Sequence, residues 1–507
     1  MPDSSPSRVT FWNSTELVDW LTAFSITAFS VIVLAYVGLI PLGHWGPDEY
    51  ATLGEYSRDG WSALATRLVE WSPRPFSEIL LFAYAKSVAY FRAPLIEYAL
   101  GALWLALGTS LLAVPISLKG DGASGKLRWQ ATAIALALFC LLLLAHPIAE
   151  TFYWPQSAVA YLPVISAVCM TAWCFVLLGT SSKKSRYAVS VALCIAALSA
   201  EVGAMFVAVL CSLVIAFLLQ QWLLKSATPK HARDLAFVLW PGVLAIGVLI
   251  AALFGRVEDS AVILGDPSIA HHMIPVLKES IKRYPLELLS LNGNGLQLKH
   301  LIVGFVAKAS FLVGAYGILL PIVGPRKLSR YDQPLLALLS IACFLTAFVV
   351  LASAFHQFGS ACCERHGTFR QVLVFLGLFS LAGLLAGLRV APVAGHLRNL
   401  TTARSLLLLG VSIAIPAMYS ARAVASDYKN FVSHRQVQKA TWESGLATGE
   451  HLVFGIPPYG SVYGGLGFAD GTHTVADDSG WMITAILTYF NKDSVTFSRA
   501  WNDHADR

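Results

Sequence analysis

Charge is scarce in this chain. Asp, Glu, Lys and Arg together make up only 13% of its 507 residues, roughly half the share a soluble domain carries. So few charges cannot cover a water-facing surface, which excludes a soluble globular protein. A sustained apolar–polar alternation is also missing, and a membrane β-barrel would need one in every strand. What recurs instead is the apolar run of about 18 or more residues, long enough to cross a bilayer as a helix. With 56% hydrophobic residues, the chain reads as an all-α polytopic membrane protein.

Other absences narrow the reading. No small-residue cleavage site follows the first apolar run, which begins at Leu21, so that run is expected to be a retained helix and not a removed signal. The eight cysteines show no metal-ligand spacing. Cys140, Cys169, Cys174, Cys194, Cys211 and Cys343 fall inside apolar spans as small hydrophobes. Cys362 and Cys363 are neighbours, a bridge between them would be strained, and they are given no role. The cytoplasmic-type loops are short and hold no Gly-rich phosphate cradle, so no sugar-nucleotide site is expected there. The net charge of +6 is modest, and no nucleic-acid partner is expected.

Eleven spans are expected, at roughly 21–42, 93–118, 129–148, 158–178, 187–200, 203–224, 235–254, 301–320, 334–354, 369–388 and 402–420. Lys and Arg mark the cytoplasmic loops. Lys119, Lys126 and Arg128 form the first such group; Lys183, Lys184 and Arg186 the second; Lys225, Lys230 and Arg233 the third. Arg326, Lys327 and Arg330, then Arg389, Arg398 and Arg404, continue the series. The loops between, at 149–157 and 201–202, carry neither residue type, and 355–368 carries only Arg365. This alternation puts the N-terminus inside and residues 421–507 outside. It requires the apolar stretch 76–92, with Glu78, Lys86 and Arg92, to lie at the external interface without crossing. The alternative, in which 76–92 spans, would turn the basic loops outward. Residues 57–70 form a second interfacial helix, with Trp61, Leu64, Leu68 and Trp71 at helical spacing. The first external loop is then 43–92. The second is 255–300, with the turn signal "NGNG" at 292–295. The division expected is a membrane module over 1–420 and an extracytoplasmic segment over 421–507.

The unusual polar residues gather on the external side. Asp48 and Glu49 follow the first span in "GHWGPDEY". Glu150, Tyr153, Trp154, Gln156 and Tyr161 fall in "AETFYWPQSAVAYLP". Glu201 lies between two apolar runs, and a charge at membrane depth costs at least roughly 2.5 kcal/mol. His356, Glu364, Arg365, His366 and Arg370 come from "HQFGSACCERHGTFRQ". Arg suits phosphate through paired donors, and a positioned carboxylate can take a proton from a hydroxyl.

The order of a first span, a membrane-edge "PDEY", and interfacial helices around "SPRPFSEILLFAYAKSVAYFRAPLIEYA" resembles GT-C glycosyltransferases, in particular aminoarabinose transferases and protein O-mannosyltransferases. The "YWPQSAVAYLP" texture looks like bacterial membrane glucosyltransferases that modify O-antigen. The resemblance covers about residues 20–165. Where those families carry a second acid, this chain offers Gln156 or Ser157, leaving Glu150 and Glu201 as candidates for that acid's task. The resemblance implies a GT-C-like bundle in the bacterial inner membrane that transfers a sugar from a polyprenyl-phosphate donor. The acceptor would be a hydroxyl of a glycan, such as lipopolysaccharide, or of a lipid-linked or protein molecule. It implies Asp48 as general base with inversion, and Glu49 orienting the acceptor or Asp48. Arg74, Arg365, His366 and Arg370 would hold the donor phosphate, and Glu150, Tyr153, Trp154, Gln156, Tyr161 and Glu201 would bind substrate. A divalent cation bridging an acid and the phosphate is compatible with that chemistry, but no oxygen cage is legible and no metal ligand is assigned. Two other readings stay open: a flippase or transporter of a lipid-linked glycan, and an O-antigen ligase or polymerase. A flippase would be expected to show inverted repeats or mid-membrane polar residues, and no internal repeat is seen.

Overall fold

The structure, a computed structural model, describes residues 14–71, 73–118, 123–145, 147–226, 228–255, 265–291, 297–323, 331–388, 395–464, 471–474 and 480–498. It is an all-α membrane-type bundle with a small mixed sheet near its C-terminus. The helices are α1 (Ser14–Val37), α2 (Pro47–Asp59), α3 (Trp61–Thr66), α4 (Pro75–Phe91), α5 (Ile96–Ile116), α6 (Ala123–Leu144), α7 (Ala149–Phe152), α8 (Pro155–Trp173) and α9 (Lys183–Ser199). They continue with α10 (Glu201–Leu223), α11 (Pro229–Asp234), α12 (Ala236–Gly255), α13 (Met273–Leu289), α14 (Leu298–Val323), α15 (Asp332–Phe358), α16 (Glu364–Leu388) and α17 (Gly395–Leu446). After α17 come β1 (His451–Gly455), β2 (Gly471–Thr474), α18 (Gly480–Phe490) and β3 (Ser494–Ser498).

Among the described residues, ten helices are long and apolar enough to cross a membrane. The expected span at 187–200 corresponds to α9, which has 17 residues and begins with Lys183, Lys184 and Arg186. Its two ends are fastened at opposite ends of the bundle. Just before it, the Thr180 N–H donates to Asp332 Oδ1 at the start of α15, at 2.7 Å. At its far end the Ser199 carbonyl accepts the Ser77 hydroxyl. The bundle therefore has a basic end, holding 180–183 and 332, and an opposite end that holds 43–50, 74–77, 199–201 and 359–366. The second is called the site end below. The turn at 292–295 lies outside the described residues, as do Lys119, Arg326, Lys327, Arg330 and Arg389.

Helix α4 begins and finishes at the site end. Ser77 near its start bonds Ser199, Trp45 Nε1 donates to Tyr84 Oη in its middle at 3.0 Å, and Trp442 Nε1 donates to the Arg92 carbonyl just past its end at 2.8 Å. The expected single helix over 57–70 is corrected. The chain is helical from Pro47, stops at Asp59 because Gly60 takes φ +59, and resumes as α3 and a π turn over Arg67–Trp71. A residue with a Cβ resists that φ, and Gly does not. Leu64 is buried, while Trp61 and Trp71 are exposed, as suits aromatics at a membrane rim. A buried network, unread in the sequence, ties these pieces together: Tyr56 donates to Glu78, and Arg67 Nε reaches the same Glu78 oxygen at 3.2 Å.

Within the second expected external loop, helix α13 runs along the side of α15. The His271 N–H bonds the His356 carbonyl at 3.0 Å, Val276 packs with Leu351 and Phe355, and the Tyr284 hydroxyl donates to the Phe344 carbonyl at 2.5 Å. Helix α13 thus descends beside about 12 residues of α15, or about 18 Å at the helical rise. A helix that stops inside a bundle exposes its last carbonyls. Here Lys308 Nζ in α14 takes those of Glu287, Leu288 and Ser290 at 3.2, 2.8 and 2.6 Å. Gly304 is needed for this approach, because a Cβ there would fall on the Leu289 carbonyl oxygen.

The boundary expected at 420 falls inside α17, a continuous helix of 52 residues. Its last turns leave the bundle and carry a three-stranded sheet in the order β1-β3-β2, parallel between β1 and β3 and antiparallel between β3 and β2. Gln438 Nε2 donates to the Gly43 carbonyl at 3.1 Å, and the Tyr463 hydroxyl donates to the Leu39 carbonyl. Helix α18 packs on α2, with Tyr50 ringed by Trp45, Phe454, Tyr489 and Phe490 at centroid distances of 5.2 to 6.1 Å. The C-terminal segment is thereby seated on the helix that carries Asp48.

Candidate functional site

Asp48 and Glu49 occupy adjacent positions in the first turn of α2. Gly46 precedes the helix in extended conformation and Pro47 is its first residue, a position that suits a residue with no N–H and a fixed φ. Neighbours on a helix point about 100° apart, so this pair cannot share one task. Glu49 turns inward and is fully buried. Its two oxygens accept the Gly46 N–H at 2.8 Å and the Gln156 N–H at 3.0 Å. Burial, together with the neighbouring Asp48 charge, pushes its carboxyl up to about 8 against the lowering effect of those two bonds. Glu49 therefore pins the start of α8 to the start of α2. Both its oxygens are committed to backbone, which fits the second of its two expected roles, orienting Asp48, and not the first, orienting an acceptor. Asp48 is half-buried.

Two long ion pairs lie at the same end of the bundle. Arg74, the residue before α4, has Nε 3.8 Å from Glu201 Oε2. Glu201 opens α10 directly after Ala200, whose extended conformation ends α9. The corner is tight because a Cβ on Gly203 would fall on the Ala196 carbonyl oxygen. On another wall, Arg365 Nη1 stands 3.7 Å from Glu150 Oε2, and its backbone N–H reaches the same oxygen at 3.4 Å. Arg365 lies within electrostatic reach of Asp48, Glu150, Glu201 and Tyr161. Tyr161, in α8, is likewise close enough to feel Arg365, Glu201, Arg74 and Glu150, and its ring lies 6.1 Å from that of His366. Asp48, Arg74, Glu150, Glu201, Glu364, Arg365 and His366 are all half-buried. At 3.7 and 3.8 Å the two pairs are looser than a charge-assisted hydrogen bond of about 2.8 Å.

Neutral polar atoms accompany these charges. Trp154 Nε1, Gln156 Oε1 and Ser157 Oγ are shut from solvent and have no hydrogen-bond partner among the described residues. The Trp154 ring lies over Gly46, where a Cβ would come within 3.5 Å of it. Tyr153 is drawn away instead: its hydroxyl donates to the Tyr36 carbonyl at 3.0 Å and its ring packs on Tyr463, so it is fully buried structure and not a wall of the site.

Arg370 is not brought to this cluster. It is buried, and its Nε and Nη2 bind the two oxygens of Glu287 at 2.7 and 3.1 Å. Arg283 holds the same carboxylate at 2.9 Å, and Gln371 Oε1 accepts from Lys308 at 2.8 Å. A carboxylate so paired leaves Arg370 committed to α13, which corrects its expected role at a donor phosphate. Cys362 and Cys363, given no role from the sequence, are joined as a neighbouring disulfide. Cys363 has φ +70, and its carbonyl accepts the N–H groups of His366 and Gly367 at 3.1 and 3.2 Å, so the pair leads directly into α16, which opens with Glu364 and Arg365.

No group of three or more metal-ligating side chains is gathered among the described residues. No family model, curated protein or solved structure matches the chain.

Proposed function

We propose that this chain is an integral-membrane glycosyltransferase that moves a sugar from a polyprenyl-phosphate donor to a hydroxyl of an extracytoplasmic glycan, lipid-linked or protein acceptor. The observation that carries the reading is that the Arg74–Glu201 and Arg365–Glu150 pairs lie about Tyr161 at one end of a membrane-type bundle, with Asp48 within electrostatic reach of Arg365. A lipid-borne donor meets its site at a membrane edge, with its tail in hydrocarbon and its phosphate and sugar above.

In this mechanism the acceptor oxygen attacks the anomeric carbon as the bond from that carbon to the phosphate oxygen breaks. Asp48 takes the acceptor proton, and the bond electrons leave with the polyprenyl phosphate. Negative charge grows on the departing phosphate, where Arg74 and Arg365 stabilise it. Glu201 and Glu150 hold the two arginines loosely enough for a phosphate oxygen to enter. Trp154, Gln156 and Ser157 offer unspent donors and acceptors to sugar hydroxyls. The proposal includes a bacterial inner-membrane setting, with the N-terminus cytoplasmic and the site end outside.

The test is purified protein with a polyprenyl-phosphate sugar, an acceptor and no energy source. Release of polyprenyl phosphate coupled to acceptor glycosylation is expected. Movement of the lipid across liposomes without release would indicate a flippase, and a requirement for a pyrophosphate-linked glycan would indicate a ligase or polymerase.

A further inference from the structure

The Cys362–Cys363 disulfide lies between α15, which ends at Phe358, and α16, which opens at Glu364. A bridge between neighbours closes a small ring around their own peptide bond. It crosslinks no other part of the fold and acts only on the local backbone. Both residues are half-buried, and partly exposed bridges are the ones open to exchange and regulation.

The chain on either side of the bridge is held. Before it, the Phe358 and Gly359 carbonyls accept the N–H groups of Gly265 and Asp266 at 2.9 and 3.2 Å. After it, the Cys363 carbonyl accepts those of His366 and Gly367 in the first turn of α16. A residue in that capping position ordinarily has an extended backbone. Cys363 instead has φ +70, a conformation that a side chain with a Cβ resists. Arg365, two residues on, faces Glu150 Oε2 with its N–H at 3.4 Å and Nη1 at 3.7 Å.

We propose that Cys362–Cys363 is a thiol–disulfide exchange site that sets the position of Arg365, and that its redox partner is a dithiol. One thiolate of the dithiol attacks a sulfur of the bridge, forming a mixed disulfide and expelling the other cysteine as a thiolate, which takes up a proton. The second thiol of the partner then displaces the attached cysteine. The partner ends as a disulfide, and Cys362 and Cys363 end as two thiols. With the ring open, Cys363 relaxes from its left-handed conformation. The short link between the pinned 358–359 segment and α16 passes that change to the turn carrying Arg365. In the orientation proposed above this end faces outward, where disulfides persist. An effect on sugar transfer rests on the proposed function; the movement of Arg365 does not.

The test uses the full chain in detergent, air-oxidised or treated with dithiothreitol. Thiol alkylation and mass spectrometry read the bridge, and amide hydrogen exchange reads His366 and Gly367. Reduction should open the bridge and speed exchange at both amides by about ten-fold. Cys362→Ser/Cys363→Ser should exchange at the reduced rate with or without dithiothreitol. Cys362→Ser/Cys363→Gly should stay near the oxidised rate, because glycine takes φ +70 without a bridge. In the transferase assay the reduced chain should be slower by about ten-fold. Free thiols at both positions in the air-oxidised chain overturn the proposal. So does exchange unaltered by an opened bridge, or a serine pair that exchanges as the oxidised protein does. Exchange that responds while neither form transfers sugar upholds the switch and overturns the transferase reading alone.

Discussion

The Glu49 carboxylate accepts the backbone N–H of Gln156 at 3.0 Å, a bond between residues 107 positions apart that joins the first turns of α2 and α8. With its second bond, to Gly46 at 2.8 Å, it fixes the turn from which Asp48 projects. The two acids of "PDEY" thus divide, Glu49 fully buried on backbone N–H groups and Asp48 half-buried.

Glu49→Ala should leave two buried N–H groups unsatisfied, each costing about 1–3 kcal/mol. A loss of roughly 3 kcal/mol in stability is expected, seen as a lower melting temperature in detergent. Glu49→Gln keeps an acceptor for one of them and should lose about 1 kcal/mol.

The same residue sets a pH dependence. Its carboxyl is raised from the ordinary 4.5 to about 8 by burial. The folded state then holds the proton more tightly than the unfolded state. Its contribution to stability is complete below about pH 4.5 and is lost as pH rises through about 8. Melting followed from pH 5 to 8 should show wild-type stability falling by roughly 1 kcal/mol per pH unit from this group. In Glu49→Gln that component of the slope should vanish.

Arg370 and Arg365 should behave oppositely, although five residues apart. Glu287→Ala strands the buried Arg370 guanidinium and should cost about 3–5 kcal/mol of stability; Arg370→Ala leaves Glu287 with Arg283 alone and should cost about 3 kcal/mol. The double apolar replacement Arg370→Met/Glu287→Leu should recover much of that loss. Arg365→Ala, half-buried and loosely paired, should melt near wild type and lower turnover by about 10²-fold or more if it stabilises the leaving phosphate. Thermal melts alongside the transferase assay separate the two.

Gly304→Ala should place a methyl on the Leu289 carbonyl oxygen and force α13 from α14. Overpacking of this kind costs about 1–3 kcal/mol. Because Lys308 caps α13 at this contact, proteolysis within 265–291 should accelerate.

The membrane class was legible because a helix that must satisfy its own backbone in lipid needs a long apolar run, and such runs survive any packing detail. A helix over 187–200 was also legible, its basic start marking one end, although α9, with 17 residues, is not among the ten helices long enough to cross a membrane. Helix α13 was not: with Lys278, Glu279, Lys282, Arg283 and Glu287 in 17 residues, it looks like a solvated loop helix. Its place depends on Lys308 and Arg370, which come later in the chain and lie on other helices. That the helix runs on past 420 was not legible, because hydropathy falls there while helix propensity does not, and α17 continues to Leu446. For the candidate site, the residue types and the common end could be read, since acids and arginines are rare in the spans. The split between Asp48 and Glu49 could not, because only the position of Gln156 shows which acid turns inward.

The central claim is that Asp48 takes the acceptor proton. Single-turnover transfer from a polyprenyl-phosphate sugar by Asp48→Asn, in protein that melts as wild type does, tests it most directly. The account expects a rate reduced by about 10²–10⁴, the span general-base catalysis supplies, with donor binding retained. Transfer at the wild-type rate by the folded Asp48→Asn protein would contradict it.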